Sequence, residues 1–409
     1  MDVFDALTPI AASRLRASAL APFAQARWNR LSEQRYSPRT ARQYLNCLAH
    51  FAQWSSRRRF DVRALDQHIT DFVDRHLPGC HCAAPAQRSR HQVCAALEYL
   101  KVVVRASGVQ INDLHGGPVE EQLRRFDRHL QDAKGLAAST RLRRATIVRA
   151  LLSMTGNAVT PSAQELRQFI AQELSRVSAA SAGATTTAVR SYLRFRAFEG
   201  DRIEHLLPIV TKPACWRLAP LPQTLTEDEV KRLLGAFPVE LPSRLRCYAL
   251  VRCIVDLGLR SSEVIALELD DIDWVAGTVR ISKGKSRRVD MLPLPQATGA
   301  AIASYVRSER PSSTSRRIFV RHVAPVDEPV AAGVVRRAVC EAYRRAGLPY
   351  TRVHILRHTL ASRLLNTGGT LKEVADVLRH RKLNTTLIYA KVDFGRLGAV
   401  AMPWPGSKP

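Results

Sequence analysis

The sequence predicts a mainly α-helical protein with one small antiparallel β-sheet in its C-terminal half. Apolar residues recur at three- and four-residue spacing through most of residues 1–205, the pattern of helices with one buried face. The pattern then changes to alternation in GTVRIS and RRVDMLPL, two short segments joined by KGKS, which indicates a β-hairpin. Helical spacing returns after it. We therefore expect helical N-terminal domains followed by a mixed α/β domain.

Residues 1–112 are predicted to form a first helical domain that contacts DNA or protein. Its clearest helix is YSPRTARQYLNCLAHFAQW, where Ser37 is a good N-cap and Pro38 fits the first helical position. Two further helices, DQHITDFVDRHL and CAALEYLKVVVRASG, lie on either side of a cysteine-containing loop. The segment INDLHGGPV, residues 111–119, has the Gly-Gly-Pro content of a linker.

The cysteine-containing loop raises the question of zinc. Potential ligands cluster there, and they are His76, Cys80, His81, Cys82, His91 and Cys94. A CxC followed by HxxC is not one of the established structural zinc spacings. A loop with incidental Cys and His is favoured, and no metal site is assigned.

Residues 113–205 are predicted to form a second helical domain that binds DNA. Its helices are EEQLRRFDRHLQDAKG, STRLRRATIVRALLSM with Ser139 as a candidate cap, SAQELRQFIAQEL, and TTTAVRSYLRFRAFEG. Residues 206–225 contain four prolines and no periodicity, which is typical of an interdomain linker.

A third domain is predicted over residues 226–396, with a tail at 397–409. Thr226 and Glu229 form a capping-box pattern at the start of its first helix. The helix RLRCYALVRCIVDLG follows, and another helix is expected to open at Arg260–Ser262.

The hairpin of this domain is expected to carry Lys283 and Lys285 at its tip. The segment RIFVR, residues 317–321, is a candidate third strand. The domain is thus expected to be mostly helical with a small sheet on one side.

Charge and hydropathy narrow the class of partner. The chain has 62 Lys+Arg against 36 Asp+Glu, a formal charge of +26, which favours a polyanionic partner such as DNA.

No apolar run reaches the roughly 18 to 20 residues that cross a bilayer, and the N-terminus lacks a signal-peptide pattern. Eight cysteines in 409 residues do not make a disulfide scaffold. We expect a cytoplasmic protein, in bacteria associated with the nucleoid, that does not bind membranes.

A candidate active site lies near the C-terminus. His354, Arg357, His380 and Tyr389 occur within one short stretch. His and Arg side chains can hold an anionic phosphate and move protons around it, and a tyrosine hydroxyl can attack phosphorus. The HxxR spacing places His354 and Arg357 on one face of a helical turn. These residues predict a phosphoryl-transfer site without a metal ion.

Together with two upstream basic residues, this stretch resembles the active-site hexad of the tyrosine recombinases, the phage-integrase and Xer-like enzymes. The matching motifs are Arg260 in GLRSSEV, Lys283 in SKGKSRRV, His354 and Arg357 in HILRHT, His380 in LRHRKLNTT, and Tyr389 in LIYAKV. The resemblance covers residues 226–395 and extends more loosely over 115–205, which resembles the helical core-binding, SAM-like domain of the same enzymes. It implies a tyrosine-recombinase catalytic domain.

The resemblance also implies a role for each residue. Arg260, Arg357 and His380 hold phosphate oxygens, and His354 accepts or donates the proton of the nucleophile Tyr389. Lys283 protonates the leaving 5′-oxygen, and it is preferred to Lys285 because the family places this Lys before the Gly. His358, next to Arg357, is interpreted as structural.

The implied cycle passes through a 3′-phosphotyrosyl intermediate and uses no metal, nucleotide or other cofactor. It requires double-stranded DNA and a tetramer, either of this chain or assembled with sister recombinases, and the extra N-terminal domain favours a mobile-element integrase or transposase. Two positions depart from the family, because Arg379 stands where Gly is usual and Ile355 where Asp is frequent. The alternatives are a related topoisomerase or resolvase and a non-catalytic DNA-binding accessory protein on the same fold.

Overall fold

The computed structural model describes residues 2–112, 118–155, 158–177, 179–211, 221–282, 289–326, 328–380 and 385–392. The chain divides into two compact units, Met1–Asn29 with Arg39–Arg217, and Arg30–Pro38 with Leu218–Pro409. The main division between them falls inside the segment 206–225. The finer division of the first unit at residue 112 stays a prediction. No helix of the described residues is both long and apolar enough to span a membrane.

The N-terminal half is built from helices, as expected from its periodicity. They are α1 (Pro9–Arg16), α2 (Ala21–Glu33), α3 (Pro38–Ser55), α4 (Leu65–Asp71), α5 (Arg90–Ala106), α6 (Pro118–Asp132), α7 (Ala138–Leu152), α8 (Ala163–Arg176) and α9 (Ala179–Phe198). Short helical turns lie at Val3–Ala6, Val62–Ala64, Phe72–His76, Leu77–Gly79 and Leu207–Ile209. Helix α3 begins at Pro38 as predicted, and its apolar stripe is buried at Ala41, Leu48 and Phe51.

The cap predicted for α7 is wrong. The helix begins at Ala138 after Ala137, which occupies the N-cap without a side-chain cap bond, so Ser139 lies inside the first turn. The preceding Gly135 turns the chain at φ +56°, and Leu136 packs against the core of α6, α7 and α9. Packing of this short connection, rather than capping, therefore decides where α7 begins.

The second unit has helices around one large core. They are α10 (Glu227–Gly235), α11 (Arg244–Leu257), α12 (Ser261–Val264), α13 (Gln296–Ser308), α14 (Ala332–Arg345), α15 (His354–Asn366) and α16 (Leu371–Val377), with short turns at Leu269–Asp271 and Leu387–Val392. The capping box of Thr226 and Glu229 is formed, as predicted. Helix α11 is central because it packs against α13, α14 and α15.

The predicted hairpin is present within a three-stranded antiparallel sheet of order β1-β2-β3. The strands are β1 (Ile272–Asp273), β2 (Thr278–Ile281) and β3 (Asp290–Pro293). Val279 pairs with Leu292 and both are buried, so one face of the sheet packs on the core. The predictions for Lys283 and Lys285 fall in residues 283–288, outside the described residues.

The candidate strand 317–321 is a wrong prediction, because β1 takes the third place in the sheet. Residues 317–321 make only single bridges, Glu268 with Arg317 and Val320 with Pro329. The side chains of Ile318, Phe319 and Val320 are all buried in succession. A strand with one exposed face alternates between buried and exposed residues, so this segment crosses the core as an irregular chain instead.

A smaller core at the C-terminal side of this unit joins α15, α16 and the turn Leu387–Val392. Its buried residues are Leu360, Ala361, Leu365, Val374, Leu378 and Tyr389. The ring of the candidate nucleophile is thus a packing element of the fold.

Gly258 ends α11 at a position where both backbone conformation and space require glycine. Its φ is +59°, a left-handed conformation that side chains disfavour. A Cβ built there would lie 2.8 Å from Leu378 Cδ2 and 2.9 Å from Leu360 Cδ2, atoms of the smaller core. Close approach of α11 to this core therefore depends on the absence of a side chain.

We expect Gly258→Ala to lower the free energy of unfolding by about 2–4 kcal/mol, since the left-handed strain and the overpacking add. Denaturant unfolding of the full chain measures the loss. Gly277→Ala is the matched control because Gly277 has φ +62° but no atom within 4 Å of its built Cβ, so only strain of about 1 kcal/mol applies. Equal losses for the two variants would contradict the role of close packing at Gly258.

Candidate active site

Arg260 follows the glycine that ends α11 and stands at the N-cap position of α12, so the predicted helix start is confirmed. Its Nη1 donates a hydrogen bond to Glu263 Oε1 at 2.5 Å, and its backbone N–H donates to Glu263 Oε2 at 2.9 Å. The side chain is about a quarter exposed. Both backbone and side chain of Arg260 are therefore held by one carboxylate.

Glu263 is the buried anion of the site, with only 1% of its side chain exposed. Besides Arg260, it pairs with Arg379, whose Nη2 lies 2.8 Å from Oε2. Burial by itself raises the pKa of Glu263, but Arg379 and Arg260 outweigh it and hold that pKa below the ordinary value. Sequence reasoning missed Glu263, although its position three residues after Arg260, at a helix start, is the capping-box spacing.

Arg379, noted above only as a departure from the usual Gly, has a structural role. Its backbone keeps the left-handed conformation suited to glycine, with φ +53°. The guanidinium turns inward, donates to Val377 O at 2.8 Å and reaches Glu263, leaving 3% of the side chain exposed. The Arg379 side chain is thus part of the buried polar contacts around Glu263.

Arg357 lies one turn after the first residue of α15 and is 5% exposed. It donates to the backbone carbonyls of Gly258 and Leu378, which ties α15 to the ends of α11 and α16. Burial, then the charges of Arg260 and Arg379, lowers the pKa of Arg357 to about 9, which leaves it cationic at neutral pH. A guanidinium has five N–H donors, so these two bonds do not exhaust its capacity.

Tyr389 is 1% exposed and its hydroxyl faces a histidine that sequence reasoning had interpreted as structural. His358 Nδ1 lies 2.7 Å from Tyr389 Oη. Burial raises the pKa of Tyr389 to about 12, although Arg357 and Arg260 oppose the rise. Burial, then His354 and Arg357, lowers the pKa of His358 to about 4. At neutral pH the phenol is therefore protonated and the imidazole neutral, and a hydrogen bond joins Tyr389 Oη to His358 Nδ1.

The other two predicted histidines belong to the same site. His354 begins α15, and His380 follows α16 with its Nδ1 2.7 Å from Thr386 Oγ1. Burial lowers the pKa of both, to about 4 for His380, and the charges of Arg357 and Arg260 lower both further. The same two guanidiniums act on Tyr389. The structure thus brings five of the six predicted residues into one electrostatic site.

Lys283, the sixth predicted residue, lies outside the described residues. The strands β2 and β3 that carry its hairpin are described, and β3 borders a cleft of about 520 Å³ whose opposite side is formed by α16, Arg379 and His380. One strand of the hairpin, β3, therefore lies beside the site.

Comparison with known sequences identifies similar proteins. Residues 223–396 match the sequence model described as the phage integrase family. The protein named "Putative integrase/recombinase y4rA" of Sinorhizobium fredii is 35% identical over 396 residues, which cover 94% of this chain and 93% of that protein. Tyrosine recombinase XerA of Pyrococcus furiosus is 29% identical over 236 residues, 57% of this chain and 77% of that protein.

Solved structures share the fold. XerH site-specific recombinase bound to palindromic difH substrate matches with a TM-score of 0.54 and 18% identity, covering 85% of this chain and 98% of that one. A lambda integrase dimer bound to a COC′ core site matches with a TM-score of 0.53 and 17% identity, covering 78% and 90%. The chain therefore shares its fold with these proteins. This fold, helices with a small antiparallel sheet, is the one that the sequence predicted.

We expect Glu263→Gln to lower the free energy of unfolding by about 3 kcal/mol or more, because it leaves the buried Arg379 without its counter-charge. Denaturant unfolding near pH 7 measures the loss. Glu341→Gln is the matched control, since Glu341 pairs with Arg344 at the surface, and it is expected to cost a small fraction of that value.

The pH dependence of the same variant provides a second check. Because the folded pKa of Glu263 is lowered, its contribution is present above about pH 4.5 and is lost as the pH falls through the folded pKa. Glu263→Gln should lack this part of the acid sensitivity. A loss of stability no larger than that of Glu341→Gln would contradict the role of Glu263 as the anion that stabilises the site.

Proposed function

The chain belongs to the phage integrase family, the tyrosine recombinases, and we propose that it cuts and rejoins DNA at specific sites through a covalent bond to Tyr389. The observation that carries this proposal is the contact between Tyr389 Oη and His358 Nδ1 beside two cationic guanidiniums. It joins a nucleophile, a proton acceptor and a phosphate-binding charge in one site.

Arg260 and Arg357 are proposed to bind the non-bridging oxygens of the scissile phosphate. The phosphodiester carries one negative charge, and the transition state of its displacement carries about two, so fixed cations stabilise the transition state more than the substrate. Arg260 is held in place by Glu263, and Arg357 by two backbone carbonyls. Their geometry is therefore set before DNA arrives.

The nucleophilic step transfers a proton and exchanges one bond. Tyr389 Oη gives its proton to His358 Nδ1 and forms a bond to phosphorus, while the bond from phosphorus to the 5′-oxygen breaks. We assign proton acceptance to His358 rather than to His354, because His358 lies within hydrogen-bond distance of the hydroxyl. His354 and His380 then donate to phosphate oxygens, and Lys283 protonates the leaving 5′-oxygen.

The remainder of the cycle follows from the covalent intermediate. A 5′-hydroxyl of a second duplex attacks the 3′-phosphotyrosyl bond and completes the exchange of strands. The energy of the broken bond is retained in the intermediate, so the proposed reaction needs neither ATP nor a catalytic metal ion. Paired exchange between two duplexes requires a tetramer of recombinase protomers.

The biological process is proposed from the names of similar proteins and from the net charge. The printed names of the similar proteins are those of integrases and recombinases, and the chain has a formal charge of +26 suited to DNA. We propose integration, excision or transposition of a mobile element at the bacterial nucleoid. A non-catalytic accessory protein is disfavoured, because nucleophile, acceptor and guanidiniums are all present.

We expect Tyr389→Phe to abolish a covalent adduct on a nicked DNA duplex that traps the cleaved strand, while DNA binding is retained. Denaturing gel electrophoresis measures the adduct and an electrophoretic mobility shift measures binding. Tyr350→Phe, which removes a hydroxyl that donates to Glu229 away from the site, is the control and should still form the adduct. An adduct that survives Tyr389→Phe would refute the nucleophile, and loss of wild-type adduct with EDTA would refute metal-independent cleavage.

We expect His358→Gln to slow formation of the adduct by about 10²-fold or more without changing DNA affinity, because it removes the proton acceptor. Single-turnover cleavage measures the rate. His205→Gln, at an exposed position in the N-terminal unit, is the control. An unchanged cleavage rate in His358→Gln would return proton acceptance to His354.

A further inference from the structure

A second cluster of reactive side chains lies in the N-terminal unit and takes no part in the proposed recombination chemistry. His50 lies on α3, His76 ends the helical turn that continues α4, and Cys80 and Cys82 lie in the loop that follows. One ligand atom from each of the four residues lies within 4.8 Å of every other. This set differs from the cluster seen in the sequence, because His50 from α3 joins it and Cys94, His81 and His91 do not.

The distances fit a tetrahedral metal centre. Zinc binds thiolate sulfur at about 2.3 Å and imidazole nitrogen at about 2.0–2.1 Å, so a sulfur and a nitrogen on one tetrahedral zinc are roughly 3.5 Å apart. Cys80 Sγ is 3.3 Å from His50 Nε2, and Cys82 Sγ is 3.5 Å from His76 Nε2. Each cysteine thus stands beside a histidine nitrogen at the separation expected for two ligands of the same ion.

The imidazole of His50 is oriented as a ligand. Its Nδ1 lies 3.0 Å from the carbonyl oxygen of Gln87, which fixes the proton on Nδ1 and leaves the lone pair of Nε2 facing Cys80. Metal-binding histidines commonly use such a backbone carbonyl to set the ring tautomer. The ring is fully buried and packs edge-on against Phe72, so its orientation is also fixed by packing.

We propose that His50, His76, Cys80 and Cys82 bind a structural zinc ion. Two thiolates and two imidazoles in tetrahedral arrangement are a donor set that suits zinc, whereas calcium and magnesium take oxygen ligands. Four protein ligands close the coordination sphere, which is the mark of a structural rather than a catalytic site. The ion is separate from the chemistry at Tyr389.

The zinc holds the loop after α4 against α3. This loop is further fixed by Arg14, which donates to Pro85 O at 2.9 Å and to Ala83 O at 3.1 Å, and by Arg88, which donates to Cys82 O. The loop and α3 together line a polar cleft of about 540 Å³ that also carries Arg39 and Arg42. The ion therefore shapes a basic surface of the N-terminal unit.

The test measures the metal content of the full chain purified without added chelator. We expect about one equivalent of zinc per chain by mass spectrometry of the acid-digested protein. Cys82→Ser and Cys80→Ser should each lower the content severalfold or more. Cys94→Ser is the matched control, because Cys94 belongs to the sequence cluster but not to the structural one, and it should keep the full content.

Thiol titration separates zinc from a disulfide and does not depend on a variant that folds. In the native wild type, Cys80 and Cys82 should react with a thiol reagent only after a strong zinc chelator is added. Thiols that appear with reductant, and not with chelator, would identify a Cys80–Cys82 disulfide and overturn the proposal.

Adding metal back to the chelated protein tests whether the site binds zinc and whether the ion stabilises the fold. Chelated wild-type protein should regain one equivalent of Zn²⁺ on titration and a higher melting temperature, since an ion that binds only the folded chain stabilises it. Co²⁺ in its place should give the visible absorption of a tetrahedral site with thiolate ligands. A wild-type chain that neither contains nor takes up zinc would overturn the proposal, whatever its activity on DNA.

Discussion

The second unit depends on one constraint: several guanidiniums lie close together in a largely buried site, and each must keep its positive charge. Burial, and then the repulsion of Arg260 and Arg379, lowers the pKa of Arg357 to about 9, so that it stays cationic at neutral pH. Glu263 offsets this repulsion by pairing with Arg260 and Arg379 at once. Backbone carbonyls at the ends of α11 and α16 accept hydrogen bonds from Arg357. Their partial negative charge also stabilises the buried guanidinium. This arrangement is the basis for our proposal that Arg260 and Arg357 bind the scissile phosphate.

The same contacts affect the acidity of Tyr389, the proposed nucleophile. Tyr389 belongs to the small core of α15 and α16, and burial makes its hydroxyl a weaker acid than a free phenol. Attack on phosphorus therefore requires a proton acceptor at the hydroxyl, and His358, which we propose for this role, lies 2.7 Å from it and is kept neutral by burial and by nearby positive charge. The packing of Tyr389 and its acidity thus depend on one group of contacts.

The N-terminal unit shows how a weak sequence signal becomes a defined site. Cys80 and Cys82 are two residues apart and their spacing alone favours no metal. The fold supplies His50 from α3 and fixes its ring through Gln87. The proposed zinc ion would stabilise a loop that is also held by arginine bonds to backbone carbonyls.

The sequence by itself determined the class of fold, the hairpin and the capping box at Thr226, and it predicted the six residues of the candidate hexad, because these depend on periodicity and on motifs a few residues long. It failed at Ser139, where packing of a short connection moved a helix start, and at 317–321, where a strand-like segment crosses the core. Tertiary structure alone decided that His358 faces Tyr389, that Arg379 pairs with Glu263 and that His50 joins the cysteines. Those partners are separated by 30 or more residues along the chain, and they meet only because helices pack in one arrangement.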